Sequence, residues 1–509
     1  MSGTMRILAS LVVIAIIAVA LGIWIIRGPG PLDFAGGSKV ALADYRAGKP
    51  TGVPASLEKA SPVERGEYLA KAADCMVCHT KPGDKDFAGG LAFKLPFGTL
   101  YSTNITADKD TGIGNYSDQD FLNAVQRGEY LAKAADCMVC HTQPGGKEYA
   151  GGLGFKLPFG TLYSTNITPD KDTGIGNYSD RDFLNAVHRG VRRDGARLYP
   201  AMPYTSYTYM TDEDVLAVKA YLFSLPPVQA KAPENTLSFP FNQRRAMIFW
   251  SAVFNPDTRF APDTSKSPEW NRGAYLAEAL AHCGECHTPR NLAFALDNRK
   301  KFAGAVTAGW RAYNISSDKA TGVGGWRDED LVSYLSIGHA PGHGTASGPM
   351  GEAVDHSLSK LAPDDIRAIV AYLRSVPPVV SPDLPASTAP PAPDSHKAGA
   401  TADARGKKVF ASACVSCHGW SGESLVSSMA TLTGTWAVND PAATNVAQIV
   451  LSGTKRHTPD GALSMPAFGN AYTDDEIAAV ANYVTARFGA KGSKLTAKDV
   501  AELREQTAE

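Results

Sequence analysis

Residues 66–80 read GEYLAKAADCMVCHT, and residues 128–142 repeat them letter for letter. Each copy ends in a Cys-x-x-Cys-His element: Cys75, Cys78 and His79 in the first, Cys137, Cys140 and His141 in the second. The element returns as CGECHT, with Cys283, Cys286 and His287, and as CVSCHG, with Cys414, Cys417 and His418. These four elements use all eight cysteines, so none is left for a disulfide. Two thiols three residues apart on one helical turn can form thioethers to the two vinyl groups of a haem, while the adjacent histidine reaches the iron from the same side. Zinc sites and dithiol redox pairs also use Cys-x-x-Cys. Zinc gives no reason for a histidine after every second cysteine, however, and no βαβ pattern surrounds the motifs. The chain therefore reads as a carrier of covalent haem c.

Length and composition agree with several helical units. At 509 residues the chain is too long for one core. Its net charge of −1 gives no basic surface for nucleic acid. Alternating strand patterns are rare, which predicts an all-α protein with long loops. Each motif follows a short helical stretch with glycine and an aromatic: RGEYLAKAAD twice, RGAYLAEALAH from Arg272 and RGKKVFASA from Arg405. Downstream, TDEDVLAVKAYLFSLPPV from Thr211, APDDIRAIVAYLRSVPPV from Ala362 and TDDEIAAVANYVTARFG from Thr473 read as closing helices with acidic first turns. The expected units are a truncated module at 65–126, complete modules at 127–230, 267–380 and 403–490, and a proline-rich linker at 381–402.

Between histidine and closing helix, each complete module offers a methionine as second iron ligand: Met202 in YPAMPY, Met350 in SGPMGEA and Met465 in LSMPAFG. All three fall in loops bearing proline or glycine, roughly 45 to 65 residues after their histidines. Met429 competes in the last module, but its apolar setting reads as packing. His339 and His343 in GHAPGHGTASGPM could suggest a metal, yet no ligand set with metal spacing accompanies them. The strip FPFNQRRAMIFWSAVF from Phe239 reads first as packing between modules, and otherwise as a surface facing membrane or quinone. No nucleophile triad, phosphate loop or dinucleotide fingerprint is present, so no catalytic residue is assigned.

From Ile7 to Ile26 runs an apolar stretch long enough to cross a bilayer, with Ser10 its only polar side chain. Ala18 and Ala20 would suit cleavage of a signal peptide, but the apolar run continues past them to Ile26, which favours an uncleaved anchor. Haem c is attached on the far side of the bacterial inner membrane, so the body is expected in the periplasm, joined to the anchor by a spacer over 28–62.

Five strings carry a resemblance: YSTNITPDKDTGIGNYSDRDF, HRGVRRDGARLYPAMPY, HCGECHTPR, GPMGEAV and the terminal LTAKDVAELR. From about Gly128 onward the chain resembles the multihaem cytochrome c subunit of bacterial membrane-bound alcohol and aldehyde dehydrogenases, built of tandem class I cytochrome c domains. The resemblance implies three His/Met haems passing electrons from a periplasmic dehydrogenase to ubiquinone. An uncleaved anchor looks more like the cytochrome that serves a molybdenum hydroxylase type of partner than one serving a quinoprotein. Two other readings stay open: a self-sufficient anchored carrier to a terminal oxidase, and a haem enzyme using a first haem that lacks methionine.

The chain departs from the family in that anchor and in the fourth motif. Residues 65–126 match 127–188 except at eight positions, among them Lys81 against Gln143, Ala107 against Pro169 and Gln126 against His188. The first copy has no methionine loop or closing helix, and between Thr80 and Asp136 there is neither His nor Met. It is a fourth haem site borrowing its neighbour's packing, a passive duplication or an assembly error; a half-module cannot bury its own core.

Overall fold

The computed structural model describes residues 19–47 apart from 21, residues 92–95 and 98–101, and residues 125–382, 404–458 and 461–507. The first Cys-x-x-Cys-His element lies outside them, as do most of the apolar run and of the 381–402 linker. Among the described residues no helix is both long and apolar enough to cross a membrane.

The described modules share one frame. In the first, helix α1 (Val125–Ala134) leads to the Cys137–Cys140 turn, helix α2 (Asp180–Arg189) follows, and helix α3 (Asp212–Ser224) crosses back over α1. After helix α4 (Met247–Phe254), the second module opens with α5 (Pro268–Tyr275), continues through α6 (Asp328–Ile337) and α7 (Gly348–His356), and closes with α8 (Pro363–Ser375). The third pairs α9 (Ala404–Val409) with α11 (Asp474–Phe488), between which lies α10 (Thr444–Ser452); α12 (Ala497–Thr507) packs on α10 and α11.

The arginine-glycine pair within each opening helix explains the crossings. A Cβ on Gly128 would sit 1.8 Å from the Ala217 carbonyl oxygen, and one on Gly273 would sit 1.8 Å from that of Ala368. Gly406 meets Ala479 in the same way. Only glycine lets the two backbones approach so closely.

The expectation of an all-α body is modified by five small antiparallel hairpins among the described residues: β1 (Ala92–Leu95) with β2 (Gly98–Tyr101), β3 (Gly154–Leu157) with β4 (Gly160–Tyr163), β5 (Ala305–Thr307) with β6 (Trp310–Ala312), β7 (His339–Ala340) with β8 (Gly344–Thr345), and β9 (Thr454–Thr458) with β10 (Gly461–Met465). At two to five residues per strand they are too short to show an alternating pattern. The duplicated fragment reproduces its hairpin in register: Ala92 pairs with Tyr101 as Gly154 pairs with Tyr163.

The first two modules share a single apolar core that runs from Leu131, Val215 and Leu222 to Leu276, Phe302 and Ile369, whereas the third has cores of its own around Phe410 and Ile477. A reciprocal polar latch joins the first two. Arg127 pairs with Asp214 inside module one, and Arg272 pairs with Asp365 inside module two. Tyr275 of module two donates its hydroxyl proton to Asp214, and Tyr130 of module one donates to Asp365. Each hydroxyl then accepts the backbone N–H of the residue that precedes the other module's closing helix, Thr211 N–H at 3.3 Å and Ala362 N–H at 3.2 Å. The relation is that of a pseudo-twofold interface.

In the third module Lys408 stands where the other two have tyrosine, and other contacts dock it. Arg311 reaches the buried carboxylate of Asp440 at 3.1 Å, Trp436 packs edge-on against Trp326, and Arg456 enters module two. At the other end of the chain, the expected spacer packs onto module two: Leu32 and Tyr45 are buried, and Asn271 donates to the Tyr45 hydroxyl.

Candidate haem sites

The three described Cys-x-x-Cys-His elements are built alike. Each forms one short helical turn after its opening helix, and in modules two and three the chain widens to a π-helical turn just before it. All three histidines point Nδ1 at a backbone carbonyl 2.6 Å away: His141 at Thr165, His287 at Tyr313 and His418 at Ala430. A carbonyl only accepts, so Nδ1 carries the proton and Nε2 is left with its lone pair. Burial lowers the proton affinity of all three imidazoles, against a smaller opposite effect from that hydrogen bond. A neutral imidazole, oriented through one nitrogen and basic at the other, is the arrangement that iron ligation requires.

The six described cysteines are free. Burial pushes the thiols of Cys137 and Cys283 up to about 12 and those of Cys286 and Cys414 up to about 11, and Cys140 rises for the same reason. Cys417 is exposed. Raised thiols are the reverse of the electropositive surroundings that activate cysteine for exchange or hold zinc thiolates. Among the described residues no group of three or more His, Cys, Asp or Glu could hold a metal ion. His343 instead stacks on Trp326 at 3.8 Å, and His339 Nδ1 lies 3.0 Å from the Thr345 hydroxyl.

Met202 lies in a turn and Met350 in the first turn of α7, both half-buried against the core that also receives Cys137 and Cys283. The loop expected around Met350 is thus a helix start, with Pro349, whose fixed φ suits helix entry, in its first turn. Met465 ends β10, opposite Thr454. Met429 directly precedes Ala430, whose carbonyl holds His418.

The attachment turns of modules one and two flank one short segment. Tyr207 donates to the Ala135 carbonyl at 2.6 Å and packs edge-on to His282, while Ser206 donates to Glu285 at 3.0 Å. Sequence reasoning did not find the carbonyls that orient the histidines. A signal existed in YSTNIT and AYNISS, where Asn166 and Asn314 each fold the loop by accepting the N–H two residues on. For Ala430 the sequence holds no such mark.

The family model for cytochrome c matches residues 125–226 and 404–487. The chain is 40% identical over 409 residues to the fructose dehydrogenase cytochrome subunit of Gluconobacter japonicus, covering 75% of this chain and 82% of that one. It is 40% identical over 405 residues to the gluconate 2-dehydrogenase cytochrome c subunit of Pantoea cypripedii, covering 75% and 89%. To the cytochrome c subunit of alcohol dehydrogenase (quinone) from Gluconacetobacter polyoxogenes it is 34% identical over 432 residues, covering 82% and 89%.

Proposed function

Given that the chain belongs to the family of multihaem cytochrome c subunits of membrane dehydrogenases, we propose that it carries electrons from a periplasmic dehydrogenase to ubiquinone through three His/Met haems. The observation that carries this reading is the threefold lock of histidine Nδ1 onto a carbonyl at 2.6 Å, directly after each described Cys-x-x-Cys. In this reading Cys137, Cys140, Cys283, Cys286, Cys414 and Cys417 form the thioethers. His141, His287 and His418, with Met202, Met350 and Met465, would supply the side-chain ligands to the iron. Haem c, when bound, supplies one-electron chemistry by alternating between ferrous and ferric iron.

The chain's own residues do the rest. The carbonyls of Thr165, Tyr313 and Ala430 set each imidazole plane, burial keeps those rings neutral, and the tyrosine-aspartate latch fixes the spacing of modules one and two. Residues 7–26 hold the body on the periplasmic side of the inner membrane. The dehydrogenase partner is read as the molybdenum hydroxylase type on the strength of that anchor, and the quinone acceptor is supported by the relative named for a quinone alcohol dehydrogenase. Cys75, Cys78 and His79 would take a fourth haem without a local methionine.

Peptide mapping by mass spectrometry tests the assignment. Haem should remain covalently attached to the peptides containing His141, His287 and His418, and the His79 peptide decides the fourth. Met202→Ala should remove one low-spin His/Met signal and lower one potential. Fewer than three haem peptides would end the three-site reading.

A further inference from the structure

Among the described residues sixteen large apolar side chains are exposed, and eleven of them fall in three segments, 19–26, 239–249 and 292–294. Those segments are contiguous in space. Trp250 Nε1 in α4 donates to the Ala293 carbonyl at 2.7 Å, and Phe294 lies edge-on to Phe241. Asn291 donates to the Ile26 carbonyl at 3.2 Å, which brings the end of the N-terminal apolar segment to the same loop. Phe249 is 77% exposed, Phe239 76% and Trp24 73%. The strip from Phe239 is therefore in large part a surface, and its reading as packing between modules holds for Phe241, stacked on Phe159 and edge-on to Phe294, and for Trp250 and Ser251, which contact Ala293 and Tyr204.

We infer that this face seats the body on the bilayer, with α4 and the 292–294 loop in the interfacial layer beside the point where the N-terminal segment enters. The inference rests on the membrane location proposed above and adds a second contact independent of the anchor. Three observations select lipid as occupant. A soluble body seldom leaves so large a contiguous apolar patch open. The segment that reaches the patch from outside the described residues is the bilayer-length run beginning at Ile7. The strip over 239–254 contains no acidic residue and carries an exposed Arg245, and Arg27 is exposed beside it, so the charge suits anionic headgroups.

Behind the face lies the Met202 loop. Tyr199 donates to the Phe241 carbonyl at 2.9 Å, and Tyr204 hydrogen-bonds Ser251 at 3.1 Å. Seating α4 in lipid thus holds the Met202 loop near a membrane-dissolved acceptor.

The full haem-loaded chain, reconstituted in vesicles of phosphatidylethanolamine and phosphatidylglycerol doped with a photoactivatable phospholipid, tests this directly. Labelled peptides should include 239–254 and 290–294 as well as the N-terminal segment. Phe239→Ser with Phe249→Ser should cut labelling of 239–254 by about an order of magnitude, with the haem spectrum unchanged. Labelling confined to the N-terminal segment, or protection of α4 that appears only on adding the dehydrogenase partner, would overturn the inference. A mature chain lacking residues 7–20 would refute the anchor alone, and labelling of α4 would still decide the face.

Discussion

Replacing Asp365 by Asn should weaken the latch between modules one and two, and by more than the matching change at Asp214. The Asp365 side chain is 2% exposed; it accepts Arg272 Nε at 2.7 Å and Nη2 at 2.6 Å, together with the Tyr130 hydroxyl. Asparagine keeps the shape but removes the charge, leaving an arginine whose side chain is only 11% exposed. Breaking a buried pair in this way costs about 3–5 kcal/mol. At Asp214 the partner Arg127 is 19% exposed and keeps Glu213 as a second acid, so the loss should be closer to about 2–3 kcal/mol. Tyr130→Phe removes one hydrogen bond to a carboxylate and should cost about 1.5–3 kcal/mol. A chain of several modules has no single unfolding free energy, so the readout is hydrogen exchange at the amides that the latch protects. In Asp365→Asn the Ala362 amide should exchange roughly a hundredfold faster, the factor that about 3 kcal/mol implies. Thr211, in the other half, should follow to a smaller degree. Equal effects below about 1 kcal/mol at both aspartates, with Ala362 still protected, would show that the shared apolar core alone holds the modules together.

Two further outcomes follow from buried groups. Arg456 of the third module is fully buried, donates to the Gly351 carbonyl at 2.7 Å and pairs with Asp355 at 3.0 Å, so Arg456→Met should cost about 3–5 kcal/mol of docking onto α7. Calorimetry should then show the third module melting apart from the others, with Arg456→Lys intermediate because it keeps the charge but loses the planar fork. Burial, reinforced by the charge of Arg259, lowers the His188 imidazole to about 4, and among the described residues neither ring nitrogen has a hydrogen-bond partner, although Asp212 lies 3.6 Å from Nδ1. The unfolded imidazole, near 6.5, takes up its proton first as pH falls, so this stability is complete above about 6.5 and lost on the way down to about 4, a change of roughly 3 kcal/mol. In His188→Gln, which restores the residue found at position 126 of the first copy, the melting of module one should lose that part of its pH dependence between 7 and 4.5.

Covalent spacing along the chain is what the sequence by itself could determine. Cysteines three residues apart with histidine next define an attachment site whatever the surrounding fold, and Thr211 and Thr473 mark helix starts because their caps bond within the same turn. The repeated string, the three frames and the apolar run from Ile7 to Ile26 are legible for the same local reason. Contacts between distant residues were decided only in three dimensions. The carbonyl that orients each histidine lies 24, 26 or 12 residues away, and nothing in the identity of Thr165, Tyr313 or Ala430 announces it, because every residue has a carbonyl. Tyr130 meets Asp365 across 235 residues, a distance no local pattern spans. Met350 belongs to a helix, and α4 turns Phe249 outward, for one further reason: an apolar residue carries no label saying whether protein, haem or lipid will cover it, and only the placement of its neighbours supplies one.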